Sequence, residues 1–401
     1  AMDRARYAFR VEWLDTAASL RREFVLIYFE RRDGKDEVEM FDLKNRRAFL
    51  KRTKAAPLAL HELTIGAKVT FLGRQLTIVD YQDAPTRAAL AADHLQCFGW
   101  LPVAGVGRLG ALIEACAARR LRLSNCRSVD LSPDDAEAFL GSADAAGFGL
   151  ALRLQGSDAR DAWADVAADP PSGIPRGALW VAATERQDEA AIEAFFEPAL
   201  RGSATAPAAA PAAATGAGGA GTMASTSQAA AAEAAAAAWG DTSAPTKLCP
   251  SARRSTAQLC SCTAALVLPH VMAGSGAGEV VQATLDGATS RGLRVTAASM
   301  IDLDPVTAEE LLEVYKGVEP AYAKMVTSFA QGPCLALELS GDGAVRKMRE
   351  VAGPRDVDVA RKVRPDTIRA IHGEDTSRCA IHVTDLEEDG PLDCEYLFSL
   401  L

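Results

Sequence analysis

The 401-residue sequence is poor in aromatic residues and has no excess of positive charge. Aromatic residues make up 6% of the chain, and no run of about 18 apolar residues occurs, so we expect no membrane-spanning helix. Lys and Arg number 43 against 53 Asp and Glu, and the net charge of −10 argues against general nucleic-acid binding. The opening AMDRARYAFR has no apolar stretch behind its charges, so we expect no secretory signal there.

The sequence also lacks the cysteine patterns of disulfide scaffolds and zinc sites. Its nine cysteines include no C-x-x-C pair, and Cys260 and Cys262 flank a single serine. Reduced thiols are therefore predicted. The five histidines show no zinc-type spacing with cysteine, so we expect no structural metal.

An alanine-, glycine- and proline-rich stretch divides the chain. It contains APAAAPAAATGAGGAG, and no Lys or Arg occurs between Arg201 and Lys247. Alanine buries too little apolar area to offset the entropy of ordering a chain, which predicts a linker over 202–256. Residues 228–239 have high helix propensity and are interpreted either as a transient helix or as a docked helix anchored by Trp239.

The residues before about position 90 favour strands. An apolar run, EFVLIYFE, precedes the hairpin signal Asp33-Gly34, and VTFL and QLTIVDY flank a second turn at Gly73-Arg74. Several short strands at this spacing predict a small β-rich barrel or sandwich.

The remainder of the chain contains an internal duplication. LRLSNCRSVDLSPDDAEAFL (121–140) matches LRVTAASMIDLDPVTAEELL (293–312), and GFGLALRL (147–154) matches GPCLALEL (332–339). The offset rises from 172 to 185 between the two matches, so the first copy is shorter. Strands alternate with amphipathic helices in each copy, which predicts two ferredoxin-like α+β sandwiches.

The second copy resembles nucleoside diphosphate kinases over 257–401. The resemblance rests on LPH at a strand end, GPCLALEL, RPDTIRA and AIHVTD. VEMFDLKN, FLKRTK and RQLTIVDY near the N-terminus resemble the DM-ten domain, a PH-like module of ciliary doublet-microtubule proteins. This domain order resembles the homolog-seven type of ciliary and flagellar nucleoside diphosphate kinase. It implies a DM-ten domain (1–90), a degenerate kinase-like domain A (91–201), the linker (202–256) and a kinase-like domain B (257–401).

The resemblance makes His382 the candidate phosphohistidine of domain B. In this family a histidine takes the γ-phosphate of a nucleoside triphosphate and passes it to a diphosphate, with Mg²⁺ accompanying the nucleotide. Without that context, a histidine on an apolar strand is interpreted as a core residue.

Four further residues match nucleotide-binding positions of the family. Arg349 and Arg369 fall where phosphate-contacting arginines lie, and their forked guanidinium groups suit phosphate. Tyr315 matches a tyrosine near the nucleophile, and Tyr322 lies close to the aromatic that stacks on the base. The alternatives are solvated charges for the arginines and packing aromatics for the tyrosines.

Domain B departs from the family at four positions. Leu268 replaces the phosphate-contacting lysine, and Cys379 replaces a sugar-contacting asparagine. Arg355 replaces a phosphate-contacting threonine and supplies a longer cationic arm. Asp393 is one methylene shorter than the usual orienting glutamate. Loss of one such cation is expected to cost about 10²–10³ in rate.

Domain A departs further. Its alignment places Trp180 at the nucleophile position and Ala164 at the position of Arg349. The 13-residue difference in offset predicts that domain A lacks the helical hairpin carrying the nucleotide-clamping aromatics. We therefore expect domain A to be inactive.

A basic cluster interrupts the acidic composition of the N-terminal domain. It consists of Lys44, Arg46, Arg47, Lys51, Arg52 and Lys54. It is interpreted either as a surface facing acidic α/β-tubulin or as a charged strand edge that prevents aggregation.

These features lead to three functional hypotheses. The first is a structural protein of the ciliary or flagellar axoneme, bound to doublet microtubules and other axonemal proteins. The second is an active nucleoside diphosphate kinase using Mg²⁺ and nucleoside triphosphates. The third is a sensor that binds nucleotide without turnover.

Overall fold

A computed structural model describes residues 3–401 except 16–19, 56–57, 59, 61–62, 64–67, 91–94, 197–248 and 275. The strands in these residues form two separate sheets, one of six strands and one of eight. None of the described helices combines the length and apolar character needed to cross a bilayer. Most of the predicted linker, including residues 228–239, lies outside the described residues.

The N-terminal sheet confirms the predicted β-rich region. Its elements are β1 (Asp3–Asp15), β2 (Leu20–Arg31), β3 (Glu37–Asp42), β4 (Arg47–Lys54), β5 (Lys68–Phe71), β6 (Arg74–Tyr81) and α1 (Ala84–Leu90). The antiparallel order is β4-β3-β2-β1-β6-β5. Gly34 and Gly73 turn two of the hairpins with φ of +68° and +73°, a conformation that glycine adopts without steric cost.

This sheet is curled rather than flat. The ring of Phe49 on β4 lies 6.3 Å from that of Trp13 on β1, although two strands, β3 and β2, separate β4 from β1 in the sheet. Its apolar core runs from Phe9 to Leu90 and contains no later residue among those described. Strands β4 and β5 are its two edges.

The second sheet is built from two runs of four strands. The first run has β7 (Leu95–Pro102), α2 (Val103–Val106), α3 (Leu109–Ala117), β8 (Arg122–Leu131), α4 (Pro133–Leu140), β9 (Gly147–Gly156), α5 (Ala159–Ala168), β10 (Trp180–Val181) and α6 (Glu185–Phe196). The second run has β11 (Cys262–Val267), α7 (Pro269–Met272), α8 (Ala277–Ser290), β12 (Arg294–Asp302), α9 (Pro305–Leu311), α10 (Tyr322–Phe329), β13 (Pro333–Ser340), α11 (Ala344–Ala352), α12 (Val357–Val363), α13 (Ile368–His372), β14 (Ile381–Val383) and α14 (Gly390–Glu395).

The strand order of the second run mirrors that of the first. The sheet reads β10-β7-β9-β8 and then β12-β13-β11-β14, so β8 and β12 are the neighbours that join the two runs. Ser128 on β8 accepts the backbone N–H of Ala298 on β12 at 2.9 Å. One apolar core extends through both runs, from Cys97 to Val383.

The sequence predicted that domain A lacks a helical hairpin, but the first run retains one of the two helices of that hairpin. Helix α4 corresponds to α9 at the offset of 172, and both begin with a side-chain cap followed by proline, from Ser132 and Asp304. No helix corresponding to α10 occurs between α4 and β9, where the chain is described throughout. The prediction that the whole hairpin is missing was therefore too broad. The loss is confined to its second helix.

The last residues assigned to the linker pack against the first run. Cys249 lies in the apolar cluster beside α6, and Ser251 donates from both its backbone N–H and its hydroxyl to Asp135 on α4. Thr256 exchanges a hydrogen bond of 2.7 Å with Ser128. The described residues 249–256 therefore follow the surface of the eight-stranded sheet's first half.

Candidate functional site

A cavity of about 200 Å³ lies beside the end of β14 and contains His382. Its wall combines apolar and aromatic side chains with three carboxyl groups. The residues lining it are Leu311, Val314, Tyr315, His382, Asp385, Leu386, Asp389 and Asp393. No lysine or arginine among the described residues lines this cavity.

His382 is held on β14 among aromatic rings. It is 5% exposed, its backbone pairs with Leu266 on β11, and the rings of Phe329 and Tyr315 meet it edge-on at 5.5 and 6.1 Å. Burial lowers the pKa of His382 far below its usual value, with Asp385 opposing and Arg355 and Arg369 adding to this effect. The imidazole is therefore neutral at pH 7, which is the protonation state that a nucleophilic histidine requires.

Arg355 lies over the face of Tyr315. Its guanidinium carbon is 3.4 Å from the ring centroid, and Nη2 contacts the Met325 sulfur at 2.9 Å. Nε and Nη1 are buried and have no hydrogen-bond partner among the described residues. A half-buried cation with two buried, unused donors is unfavourable unless an anion binds there, so Arg355 is a candidate anion-binding group.

The two arginines predicted to contact phosphate are already engaged. Arg369 is 4% exposed and donates to the backbone oxygens of Ile381 and Gly353 at 3.0 and 2.8 Å. Its interpretation as a solvated charge was therefore wrong. Arg349 is exposed and donates from Nη1 to the backbone oxygen of Asp385 at 2.9 Å. Both guanidinium groups bond to protein oxygens around β14.

The carboxyl groups of the cavity differ in their environments. Tyr315 donates its hydroxyl proton to Asp385 Oδ2, while Asp393 Oδ2 accepts from the Thr384 hydroxyl at 2.8 Å. Burial raises the pKa of Asp393 to about 6, the Thr384 hydrogen bond lowers it, and the neighbouring charges of Asp389 and Asp385 raise it. Asp393 is thus bonded to the residue two positions after His382.

The remaining predicted residues of domain B lie outside the cavity wall. Leu268 is fully buried in an apolar cluster, where its backbone N–H donates to Ala380. The Cys379 sulfur donates to the Ile381 oxygen at 3.3 Å. The Tyr322 hydroxyl donates to the Glu309 oxygen at 3.4 Å, so it ties α10 to α9.

The strand register gives Trp180 the same place in the first run that His382 has in the second. Trp180 pairs with Trp100, which lies opposite Ala151, while His382 pairs with Leu266, which lies opposite Ala336. Ala151 and Ala336 are related by the offset of 185. The Trp180 indole donates to the Leu140 oxygen at 2.7 Å and packs edge-on against Phe98 at 5.6 Å, so apolar rings fill this region.

The basic cluster of the N-terminal sheet lies on the β3–β4 hairpin and the edge strand β4. All six of its side chains are exposed. Arg52 is neutralised by Asp3 and Glu37 at 2.5 and 2.6 Å and stacks on Phe29 at 3.8 Å. The other five form no ion pair with any described residue.

The residues of the cavity region that the sequence reasoning missed include Asp389 and Phe329. Asp385, Asp389 and Asp393 recur every four residues, although only Asp393 lies in helix α14 and Asp385 precedes it in the loop after β14. That signal was available in the sequence. Nothing local marked Phe329, because α10 reaches β14 only through the tertiary fold.

Comparisons with known proteins show that the C-terminal part of the chain is similar to nucleoside diphosphate kinases. The family model described as nucleoside diphosphate kinase matches residues 261–400. The nucleoside diphosphate kinase of Aquifex aeolicus is 32% identical over 137 residues, which cover 34% of this chain and 93% of that protein. A crystal structure of the Aquifex aeolicus enzyme covers 35% of this chain and 95% of its own, with a TM-score of 0.32.

A longer relative defines the family. The mouse protein named nucleoside diphosphate kinase homolog 7 is 32% identical over 409 residues, which cover 99% of this chain and 93% of that protein. The rat protein of the same name matches equally, at 32% over 413 residues. The chain therefore belongs to the nucleoside diphosphate kinase homolog 7 family.

Proposed function

We propose that this chain is a structural protein of ciliary axonemal doublet microtubules, built on a DM-ten domain and two nucleoside diphosphate kinase-like domains. Domain A has no transfer chemistry, and domain B has lost most of what rapid transfer needs. The observation that carries this proposal is the composition of the His382 cavity, in which three carboxyl groups and no cation line the wall. Phosphoryl transfer needs preorganised positive charge around the phosphate oxygens.

The size of the cavity and the state of its neighbours support the same proposal. Ligand pockets usually measure about 300–1,000 Å³, so a cavity of about 200 Å³ is small for a nucleoside triphosphate. At the lysine position Leu268 lies in the apolar core, and Arg369 is committed to backbone oxygens. In domain A the indole of Trp180 occupies the strand position that corresponds to His382 in domain B.

The microtubule part of the proposal rests on the DM-ten resemblance and on the exposed basic hairpin. Five cations of the β3–β4 hairpin and edge strand, which form no ion pair with any described residue, complement an acidic surface such as that of α/β-tubulin. Fractionation of cilia tests it. We expect the protein to resist mild detergent and to be released together with tubulin, and its release without tubulin would contradict the proposal.

The second candidate is an active nucleoside diphosphate kinase with a phosphohistidine at His382. The neutral imidazole favours it, and so do the two unpaired donors of Arg355. If a nucleotide binds, Arg355 would hold phosphate, and the cavity carboxylates suit the Mg²⁺ that accompanies it. These residues fit the group in chemistry, although Asp385 already bonds to Tyr315.

Incubation with γ-labelled ATP and Mg²⁺ separates these functions. We expect the purified chain to exchange phosphate slowly or not at all, and rapid exchange lost in His382→Ala but kept in the control His372→Ala would establish the kinase. A gain of about 10²–10³ in Leu268→Lys would show that the missing lysine limits the rate. Nucleotide binding at equilibrium without labelling would instead indicate a sensor.

A further inference from the structure

Two cysteines and a glutamate from distant parts of the chain lie close together where helix α14 packs on the sheet. Cys262 begins β11, Glu338 lies on β13, and Cys394 lies in α14. Both sulfur atoms and a carboxylate oxygen lie within 4.8 Å of one another, and no member is more than 2% exposed. The cluster is separate from the His382 cavity, because none of the three residues lines that cavity.

The buried carboxylate of this cluster has no balancing positive charge. Glu338 Oε1 accepts the backbone N–H of Leu259 at 2.8 Å, and Oε2 accepts that of Gln258 at 2.8 Å and the Thr296 hydroxyl at 2.5 Å. All three donors are neutral, and no described Lys, Arg or His forms an ion pair with Glu338. Buried carboxylates are ordinarily paired with a cation or bound to a metal ion, so the cluster is suited to a cation.

We propose that Cys262, Glu338 and Cys394 form a binding site for a thiophilic divalent cation of the zinc class. Two thiolates and one carboxylate are a donor set that Zn²⁺ accepts in tetrahedral geometry. Zinc–sulfur bonds of about 2.3 Å place two sulfurs about 3.8 Å apart, so the ligand atoms need to close in by about 1 Å at most. Both thiols release their protons to solvent as the two metal–sulfur bonds form, which balances the reaction.

The loop before β11 carries a third cysteine close in sequence to the cluster. Cys260 is exposed and lies between Leu259 and Ser261, whose φ angles of +54° and +45° are in the left-handed region. Residues other than glycine pay a steric cost there, and such strain concentrates at functional sites. Cys260, two residues before Cys262, is therefore the candidate for the fourth ligand, with water as the alternative.

Such an ion would fix α14 to the sheet. The backbone of Gly390 in α14 approaches Cys262 so closely that an added Cβ would lie 2.2 Å from the Cys262 oxygen. Asp393, next to Cys394, lines the His382 cavity and accepts from Thr384. The site would thus hold the helix that supplies one wall of the cavity, whichever function the cavity has.

Titration of the full chain with Co²⁺ and then Zn²⁺ tests the proposal. The protein is reduced, freed of metal with a chelator and titrated without oxygen. We expect a thiolate-to-Co²⁺ absorption band that saturates at one ion per chain and disappears on addition of Zn²⁺.

We expect Cys262→Ser and Cys394→Ser to abolish the band, and Glu338→Gln to weaken Zn²⁺ binding by at least about 10-fold. Cys126→Ser, a fully buried cysteine outside the cluster, should leave it unchanged. Loss of the band in Cys260→Ser would identify the fourth ligand.

A second measurement covers variants that fail to fold. In the wild-type chain, Zn²⁺ should protect Cys262 and Cys394, and not Cys126, from alkylation during partial unfolding, as read by mass spectrometry. Absence of the Co²⁺ band, its persistence in the double cysteine variant, or a Cys262–Cys394 disulfide in protein that binds no metal would overturn the proposal.

Discussion

At the level of single residues, the carboxyl group of Asp393 is the clearest source of pH-dependent stability. Its pKa is raised to about 6 from an ordinary value of 3.8, mainly by burial. Because the folded state binds this proton more tightly than the unfolded state, the stabilisation is present below about pH 4 and is lost as the pH rises through about 6. Above that pH the fold carries a buried charge.

We therefore expect Asp393→Asn to stabilise the protein at pH 8 by about 1–3 kcal/mol, since each pKa unit corresponds to about 1.4 kcal/mol. The amide still accepts from Thr384. Urea unfolding from pH 4 to pH 8 should show the advantage shrinking towards pH 4. The exposed Asp342→Asn serves as the control and should show no such trend. An advantage equal at all pH values would refute this account.

Arg369 provides a second prediction at this scale. Its buried guanidinium bonds to the oxygens of Ile381 and Gly353, so it connects β14 with the end of α11. Lysine cannot reproduce this fork, and Arg369→Lys should lower the free energy of unfolding by about 2–4 kcal/mol without any ligand present. Chemical denaturation measures it, with the exposed Arg346→Lys as control. An unchanged stability would contradict this structural role of the guanidinium.

The sequence predicted part of this site because the motif AIHVTD and its spacing are local. Tyr315, His382 and Asp393 do meet at one cavity, as their matching positions indicated. The stacking of Arg355 on Tyr315 and the burial of Arg369 could not be predicted, because both depend on how α11 to α13 fold back over β14. The cluster of Cys262, Glu338 and Cys394 could not be predicted either, since 132 positions separate Cys262 from Cys394 and only the tertiary fold brings them together.

At the level of elements, helices α3 and α8 cross at a pair of glycines. A Cβ on Gly110 would lie 2.3 Å from the Gln282 nitrogen and 2.4 Å from the Gly278 oxygen. The Gln282 side chain also accepts from the Ala111 N–H at 3.1 Å and donates to the Gly107 oxygen at 3.0 Å. These contacts join the two runs of the large sheet on its helical side.

Gly110→Ala should consequently separate the two helices and destabilise the protein by about 1–3 kcal/mol, because backbone atoms cannot yield as a flexible side chain can. Thermal unfolding measures the change. Gly107→Ala is the matched control, since a Cβ there meets nothing within 4 Å and the backbone is in the right-handed helical region, and it should not destabilise the protein. Equal effects of the two substitutions would contradict the close crossing.

Elements were predictable where the local signals were strong. The segments SPDD and DPVT carry a capping residue followed by proline, which is typical of a helix start, and both α4 and α9 begin there with side-chain caps. The sequence predicted that domain A lacks both helices of the hairpin, whereas only the counterpart of α10 is missing. A difference of 13 residues in the offset does not say which helix is removed. The pairing of β8 with β12 joins segments about 170 residues apart, and no local pattern in either strand announced it.

At the scale of the whole molecule, the apolar cores predict two cooperative units. One core runs from Phe9 to Leu90, and another extends through both runs of the large sheet from Cys97 to Val383. Calorimetry should therefore show two transitions rather than three.

Leu76→Ala, in the first core, should cost about 2–5 kcal/mol and lower one transition by more than about 8 °C. Leu337→Ala, in the shared core, should lower the other by at least about 4 °C. Each variant is the control for the other. A third transition, or separate unfolding of the two runs, would mean that the joined sheet does not fold as one unit, because a continuous core should prevent either run from surviving alone.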